Sequence, residues 1–166
     1  MLENLAHGIK SVKHACAEFL QNRLTSDNVV GIRKLAVTLA VSSLITAAQN
    51  FIENNLKSVS QCEEFLSLSF DFILDLVKND NLNIPEEHVF EAVMIWLKND
   101  AENRSGHLAQ LLAQIRLPLL SPQYLLDYVL SHEMIRNSIQ CRDLVDEALK
   151  YKRMPKRRYL LTKTIN

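Results

Sequence analysis

The chain has 166 residues with 19 acidic and 19 basic side chains, a formal net charge of zero, so no global field steers it toward nucleic acid or an anionic membrane. That length buries a sizeable core and sits near the usual size of one domain. With three glycines, four prolines and 48% hydrophobic residues, the composition suits helices packed on helices and disfavours a sheet with many tight turns.

In chain order, Val12, Ala15, Cys16, Phe19 and Leu20 recur at helical spacing and draw one apolar stripe, on a helix predicted to end near Leu24. Ser26 or Asn28 can cap the next helix. The apolar pattern then runs from Val29 to Leu56, too long for one globular helix, so a break is expected near Ser42 and Ser43. Ser60 with Glu63 reads as a capping box, and Leu66, Phe70, Ile73, Leu74 and Val77 share a face beyond it. Pro85 falls at an expected first helical position, and the acids that follow suit the helix dipole. In that helix Ala92 to Leu97 is apolar all round, which predicts a central helix enclosed by others, with Trp96 in the core.

Gly106 separates this helix from one carrying Leu108, Leu111, Leu112 and Ile115. Pro118 must interrupt helical bonding soon afterwards. Leu117, Leu119 and Leu120 are then expected to plug a corner, with Ser121 capping and Pro122 restarting the next helix. The last strong helix shows Cys141, Leu144, Val145, Ala148 and Leu149 on one face and runs out in "KYKRMPKRRYLL". The expected fold is all-α: an antiparallel helical-hairpin, solenoid-like bundle of about eight to ten short helices.

Signs of chemistry are sparse. Asp71 and Asp75, four apart, lie one helical turn from each other, as do His88 and Glu91, three apart, but both pairs read as solvated surface. Cys16 and His14 are two apart on a helix and point in different directions, so neither activates the other, and Cys16 is expected in the core. The three cysteines, Cys16, Cys62 and Cys141, have no zinc-ligand spacing and read as reduced, buried thiols. No GxSxG or glycine-rich phosphate loop occurs. No enzyme, metal or cofactor is implied. The start "MLENLAHGIK" does not read as a signal peptide and no segment is long enough to span a bilayer, which points to a cytoplasmic or nuclear protein. The one basic cluster is Lys150, Lys152, Arg153, Lys156, Arg157 and Arg158. It reads as a solvated terminus, with nucleic-acid binding as the alternative.

Five elements in order carry a resemblance: Ala15 to Leu20 with Asn28, Gly31 and Ile32 behind it; the Phe65–Leu66 pair; "VFEAVMIWL"; "IRLPLLS" followed by Tyr124–Leu125; and "IQCRDLVDEALKY". Together they resemble the BACK domain of BTB-BACK-Kelch proteins. Val29 departs from a frequent cysteine, and Tyr151–Lys152 from a frequent Tyr or Phe followed by His. The resemblance implies a non-catalytic adaptor of a cullin-3 ubiquitin ligase, in which a BTB domain forms the homodimer and grips the cullin while a Kelch propeller captures the ubiquitination substrate. It implies a BACK domain over residues 1–154 and a basic linker over 155–166 leading toward a Kelch domain outside this chain. The helical pair at about 10–39 resembles the "3-box" that helps hold cullin-3, with Leu5, Ile9, Val12, Cys16, Phe19 and Leu20 as its candidate residues. For Cys16, Phe19 and Leu20 a core role competes with an interface role, whereas Leu5, Ile9 and Val12 precede that core and are expected to be exposed without the BTB domain, as a small apolar patch. Leu117, Pro118, Leu119, Leu120, Ser121 and Pro122 would form a structural corner. A stand-alone helical interaction module independent of cullin is the other reading.

Overall fold

The computed structural model describes residues 2–80, 82 and 84–153, with side chains from Ser11 onward. These residues are helical or in turns, with no strand among them. The chain folds as two compact units, Met1–Leu68 with Asn81–Ile84, and Ser69–Asp80 with Pro85–Asn166.

In the first unit, α1 (Leu2–Gln21), α2 (Val29–Thr38) and α3 (Ser42–Asn54) pack through small residues. Ala17, Ala36 and Leu44 are buried together, with Leu20, Ile32, Val41 and Ile45 against them. Alanine at these contacts lets the helix axes approach closely. Helix α1 stops at Gln21, short of the expected Leu24. The loop after it is tied by Asn28, whose Oδ1 accepts from the Thr25 amide (2.9 Å) and whose Nδ2 donates to the Arg23 carbonyl (2.9 Å). Asn28 therefore folds the loop and makes no side-chain cap on α2.

The break expected at Ser42 and Ser43 comes slightly earlier. Ala40 has φ 50°, the left-handed conformation that ends many helices, and the Val41 amide reaches back to the Ala36 carbonyl (2.9 Å). Val41 then packs on the core. The expected capping box at Ser60 is absent: the Ser60 hydroxyl donates to the Lys57 carbonyl (3.1 Å), and the short α5 (Glu63–Leu66), which follows α4 (Leu56–Val59), starts after Cys62 with no side-chain cap.

The second unit opens with α6 (Phe70–Lys78), where the Ser69 hydroxyl accepts from the Phe72 amide (3.3 Å). Leu66 and Phe70 thus belong to different helices and share no continuous face, while Ile73, Leu74, Leu76 and Val77 are buried. Helix α7 (Glu86–Asn99) begins one residue after Pro85 and is the expected enclosed helix: Ala92, Val93, Met94, Trp96 and Leu97 are all buried. From α8 (Ala101–Arg104), Arg104 lays its guanidinium 4.2 Å from the Trp96 ring and donates to the Trp96 carbonyl (2.8 Å), closing the end of α7. Helix α9 (Leu108–Leu112) buries Leu108, Leu111 and Leu112.

At the proline corner, a tight turn at Leu117–Leu119 leads to an extended Leu120. The Ser121 hydroxyl then accepts from the Tyr124 amide (3.1 Å) to cap α10 (Pro122–Tyr124). Leu117 and Leu120 are buried, but Leu119 is 60% exposed, so it plugs nothing. The tight turn points successive side chains in different directions, which apolar composition alone does not reveal. A wider turn at Leu125–Val129 buries Leu125 and Val129, followed by α11 (Glu133–Arg136) and α12 (Ile139–Arg153), which buries Cys141, Val145 and Ala148.

Candidate functional site

In the first unit, the surface of α1 settles which of its apolar residues face the core: Val12 is exposed as expected, and Cys16 and Phe19 are exposed as well. The stripe Val12, Ala15, Cys16 and Phe19 does not face the core. Val12 is 64% exposed, Phe19 54% exposed, and Ala15 and Cys16 are also exposed. Helix α1 instead turns Ala17 and Leu20 inward, about 100° around the helix from that stripe. Lys13 lies on the same inward side and donates from Nζ to the Leu39 carbonyl at the end of α2. The core expectation for Cys16 is therefore corrected: its thiol is on the surface. Of the six candidate interface residues, Val12, Cys16 and Phe19 share the outward face, Leu20 is part of the packing, and the side chains of Leu5 and Ile9 lie outside the described residues. Arg23 covers part of Phe19, its guanidinium 3.9 Å from the ring centroid. Leu35 and Val37 of α2, and Leu39 just after it, are each about half exposed.

The N-terminus of α2 is fixed by a contact that sequence inspection missed. The Gly31 amide, in the first turn, donates to Glu64 Oε2 at 2.8 Å, so an α5 carboxylate caps α2 across 33 residues and meets the positive end of its dipole. A Cβ on Gly31 would sit 3.1 Å from Glu64 Oε1, which explains a glycine inside a helix where its flexibility is otherwise unfavourable. Lys34 Nζ donates to Ser67 Oγ (2.9 Å) just beyond, and Arg33 Nε donates to Gln49 Oε1 (3.1 Å), bracing α2 on α3.

Nearby, Cys62 Sγ donates to Asp27 Oδ1 (3.2 Å). Burial, that hydrogen bond and the charges of Asp27 and Glu64 push the thiol pKa up, which keeps it protonated and unsuited to nucleophilic attack. Of the cysteines, only Cys141 is fully buried, and burial raises its pKa as well.

In the second unit, Asp71 and Asp75 are exposed, and His88 and Glu91 lie at the surface of α7. No three His, Cys, Asp or Glu side chains among the described residues come together as a metal set. No helix among them is long and apolar enough to cross a membrane. Of the basic cluster, Lys150, Lys152 and Arg153 lie in the last turn of α12, and Lys156, Arg157 and Arg158 lie outside the described residues.

The corner is held by an ion pair with no sequence signature of its own. Glu86, in the first turn of α7 and 6% exposed, accepts from the Arg116 amide (2.8 Å, Oε1) and from Arg116 Nε (3.1 Å) and Nη2 (3.0 Å) at Oε2. Nothing in this set is arranged to attack, protonate or bind a small substrate. It fixes "IRLPLL" onto α7. The geometry offers a scaffold with an outward apolar face on α1, and the family model described as BACK, BTB And C-terminal Kelch, matches residues 29–130, more than half of the chain.

Proposed function

The chain belongs to the BACK family, and from that premise we propose that it is the helical, non-catalytic adaptor segment of a cullin-3 RING ubiquitin ligase. In this reading it joins a BTB domain, through which the parent protein dimerises, to a Kelch domain that selects the ubiquitination substrate. The functional domain extends past the matched residues to include α1 and α12, over residues 1–154, and residues 155–166 lead toward the Kelch domain. The parent protein acts in the cytoplasm or nucleus.

The observation that carries the cullin assignment is the outward face of α1. An amphipathic stripe at Val12, Cys16 and Phe19 stays exposed while Ala17 and Leu20 supply the packing, so the interface role competes with no core role at those three positions. Exposed apolar side chains on one helix face suit docking of a partner helix. Leu5 and Ile9 are further candidate contacts in this proposal.

The test is co-purification of cullin-3 with the full-length parent protein carrying Val12→Asp or Phe19→Asp. Both positions are exposed, so folding is retained, as circular dichroism checks. Capture falls by about tenfold or more for each, as expected for the loss of an interface anchor worth roughly 1.4 kcal/mol. Wild-type capture by both folded variants refutes the assignment.

A further inference from the structure

We propose that the stacked pair Tyr124 and Tyr128 of the second unit, with Glu87 and Glu91 of α7 beside it, is a docking site for an arginine side chain presented by a partner protein. The pair arises from the wide turn at Leu125–Val129. That turn buries Leu125 and Val129 and leaves Leu126 and Tyr128 outward, Tyr128 at 60% exposure. The two rings lie 5.0 Å apart between centroids and 20° from parallel. Tyr124, the inner ring, also meets Phe90 edge-on, at 6.2 Å and 86°. Phe90 is buried on α7, so the inner ring is anchored and the outer one is held flat against it. A platform already ordered in this way loses little side-chain freedom when a partner binds.

Three observations select a guanidinium as the occupant. The first is charge complementarity. Glu87 and Glu91 stand one turn apart on α7, on either side of Phe90 in sequence. The Tyr124 hydroxyl donates to Glu91, and the charge of Glu87 bears on it as well, so both carboxylates lie beside the aromatic pair. Among the described residues neither carboxylate forms an ion pair. An apolar partner covering this surface would desolvate both acids without a counter-charge, and an acidic one would be repelled. The second is shape. A planar guanidinium can lie flat on the exposed Tyr128 ring while its edge donates to a carboxylate, whereas the compact ammonium of lysine offers no flat face. The third is that the same chain makes this pairing twice internally, with Arg23 3.9 Å from the Phe19 ring and Arg104 4.2 Å from the Trp96 ring. The proposal uses residues of the second unit alone and does not rest on the adaptor reading.

The test is an NMR titration of the full 166-residue chain with a blocked Gly-Arg-Gly peptide and its citrulline and lysine counterparts, read at the tyrosine ring signals. Citrulline keeps the shape of arginine without its charge. The arginine peptide shifts the Tyr124 and Tyr128 signals saturably at millimolar concentration, at least about fivefold more than the citrulline peptide, with lysine in between. Added salt weakens the response. Tyr128→Ala, at an exposed position, abolishes the shift at Tyr124, and the Glu87→Gln, Glu91→Gln double variant lowers it at least about threefold. Unchanged Trp96 fluorescence verifies the fold of each variant. Equal shifts from the arginine and citrulline peptides, a lysine response as large as the arginine one, or a full response in folded Tyr128→Ala overturns the proposal. So do ring signals that move with protein concentration in the absence of peptide, which would make a second copy the occupant.

Discussion

Removing the Glu86 carboxylate should loosen the proline corner more than any sequence feature suggests. Glu86 is 5% exposed at its side chain and Arg116 37%, so the two partners respond differently to truncation. Glu86→Ala leaves the Arg116 guanidinium free to regain water but strands the Arg116 amide, which it had satisfied at 2.8 Å. With the exposed side of the pair discounted for solvent screening, the loss is about 2 kcal/mol. Arg116→Ala is the harsher change, about 3 kcal/mol, because it leaves a buried carboxylate with a single amide donor. The double variant should also lose about 3 kcal/mol, well short of the sum, giving a coupling of about 2 kcal/mol. Trp96, the chain's one tryptophan, is buried in the same unit, so its fluorescence during urea unfolding reads this unit directly. A lowering of Tm by roughly 4 to 8 °C for Glu86→Ala is the thermal counterpart. Additive single effects, or a Glu86→Ala protein within about 0.5 kcal/mol of wild type, would refute the reasoning.

Two neighbouring leucines separate burial from composition: Leu120→Asp places an unpaired carboxylate at a fully buried position and should destabilise by about 4 kcal/mol. Leu119→Asp, at 60% exposure, should stay within about 0.5 kcal/mol; equal unfolding midpoints for the two in urea would contradict the corner geometry. Burial, the charges of Glu91 and Glu87 and a hydrogen bond to Glu91 push Tyr124 up to about 12 from 10.0. Because its neutral form is the one the fold favours, the stabilisation is complete below pH 10 and is lost as pH rises toward 12. Absorbance titration of the chain's four tyrosines should show one lagging group that Tyr124→Phe removes, and a single uniform transition in wild type would count against this environment.

The fold class was legible because helical periodicity and scarce glycine act over whole segments. Ala92 to Leu97 and the Ser121–Pro122 restart are where that signal was strongest. What escaped reading depends on contacts far apart in sequence. Glu86 reads as an acid suited to a helix start, and only the structure shows that Arg116 buries it. Gly31 gave a family signal without a reason, which Glu64 supplies from 33 residues away. Ser60 and Glu63 have the spacing of a capping box, yet a hydroxyl can equally donate to the carbonyl of the preceding turn, and that local bond won.

Helix α1 shows a different kind of failure. Periodicity establishes that an apolar stripe exists, but not that the chain itself covers it. On α1 the packing is done by Ala17 and Leu20, while Val12, Cys16 and Phe19 keep the helical spacing and stay in solvent. Burying a side chain of the size of Phe19 is worth about 1.5 to 3 kcal/mol. A fold that needed that energy could rotate α1 by about 100°, but the small residue Ala17 would then no longer set the packing of α1 on α3. The rotation observed satisfies the close packing and leaves the larger apolar side chains outward. An apolar face left over after the core is complete suits burial by a partner, which is why this face carries the functional proposal.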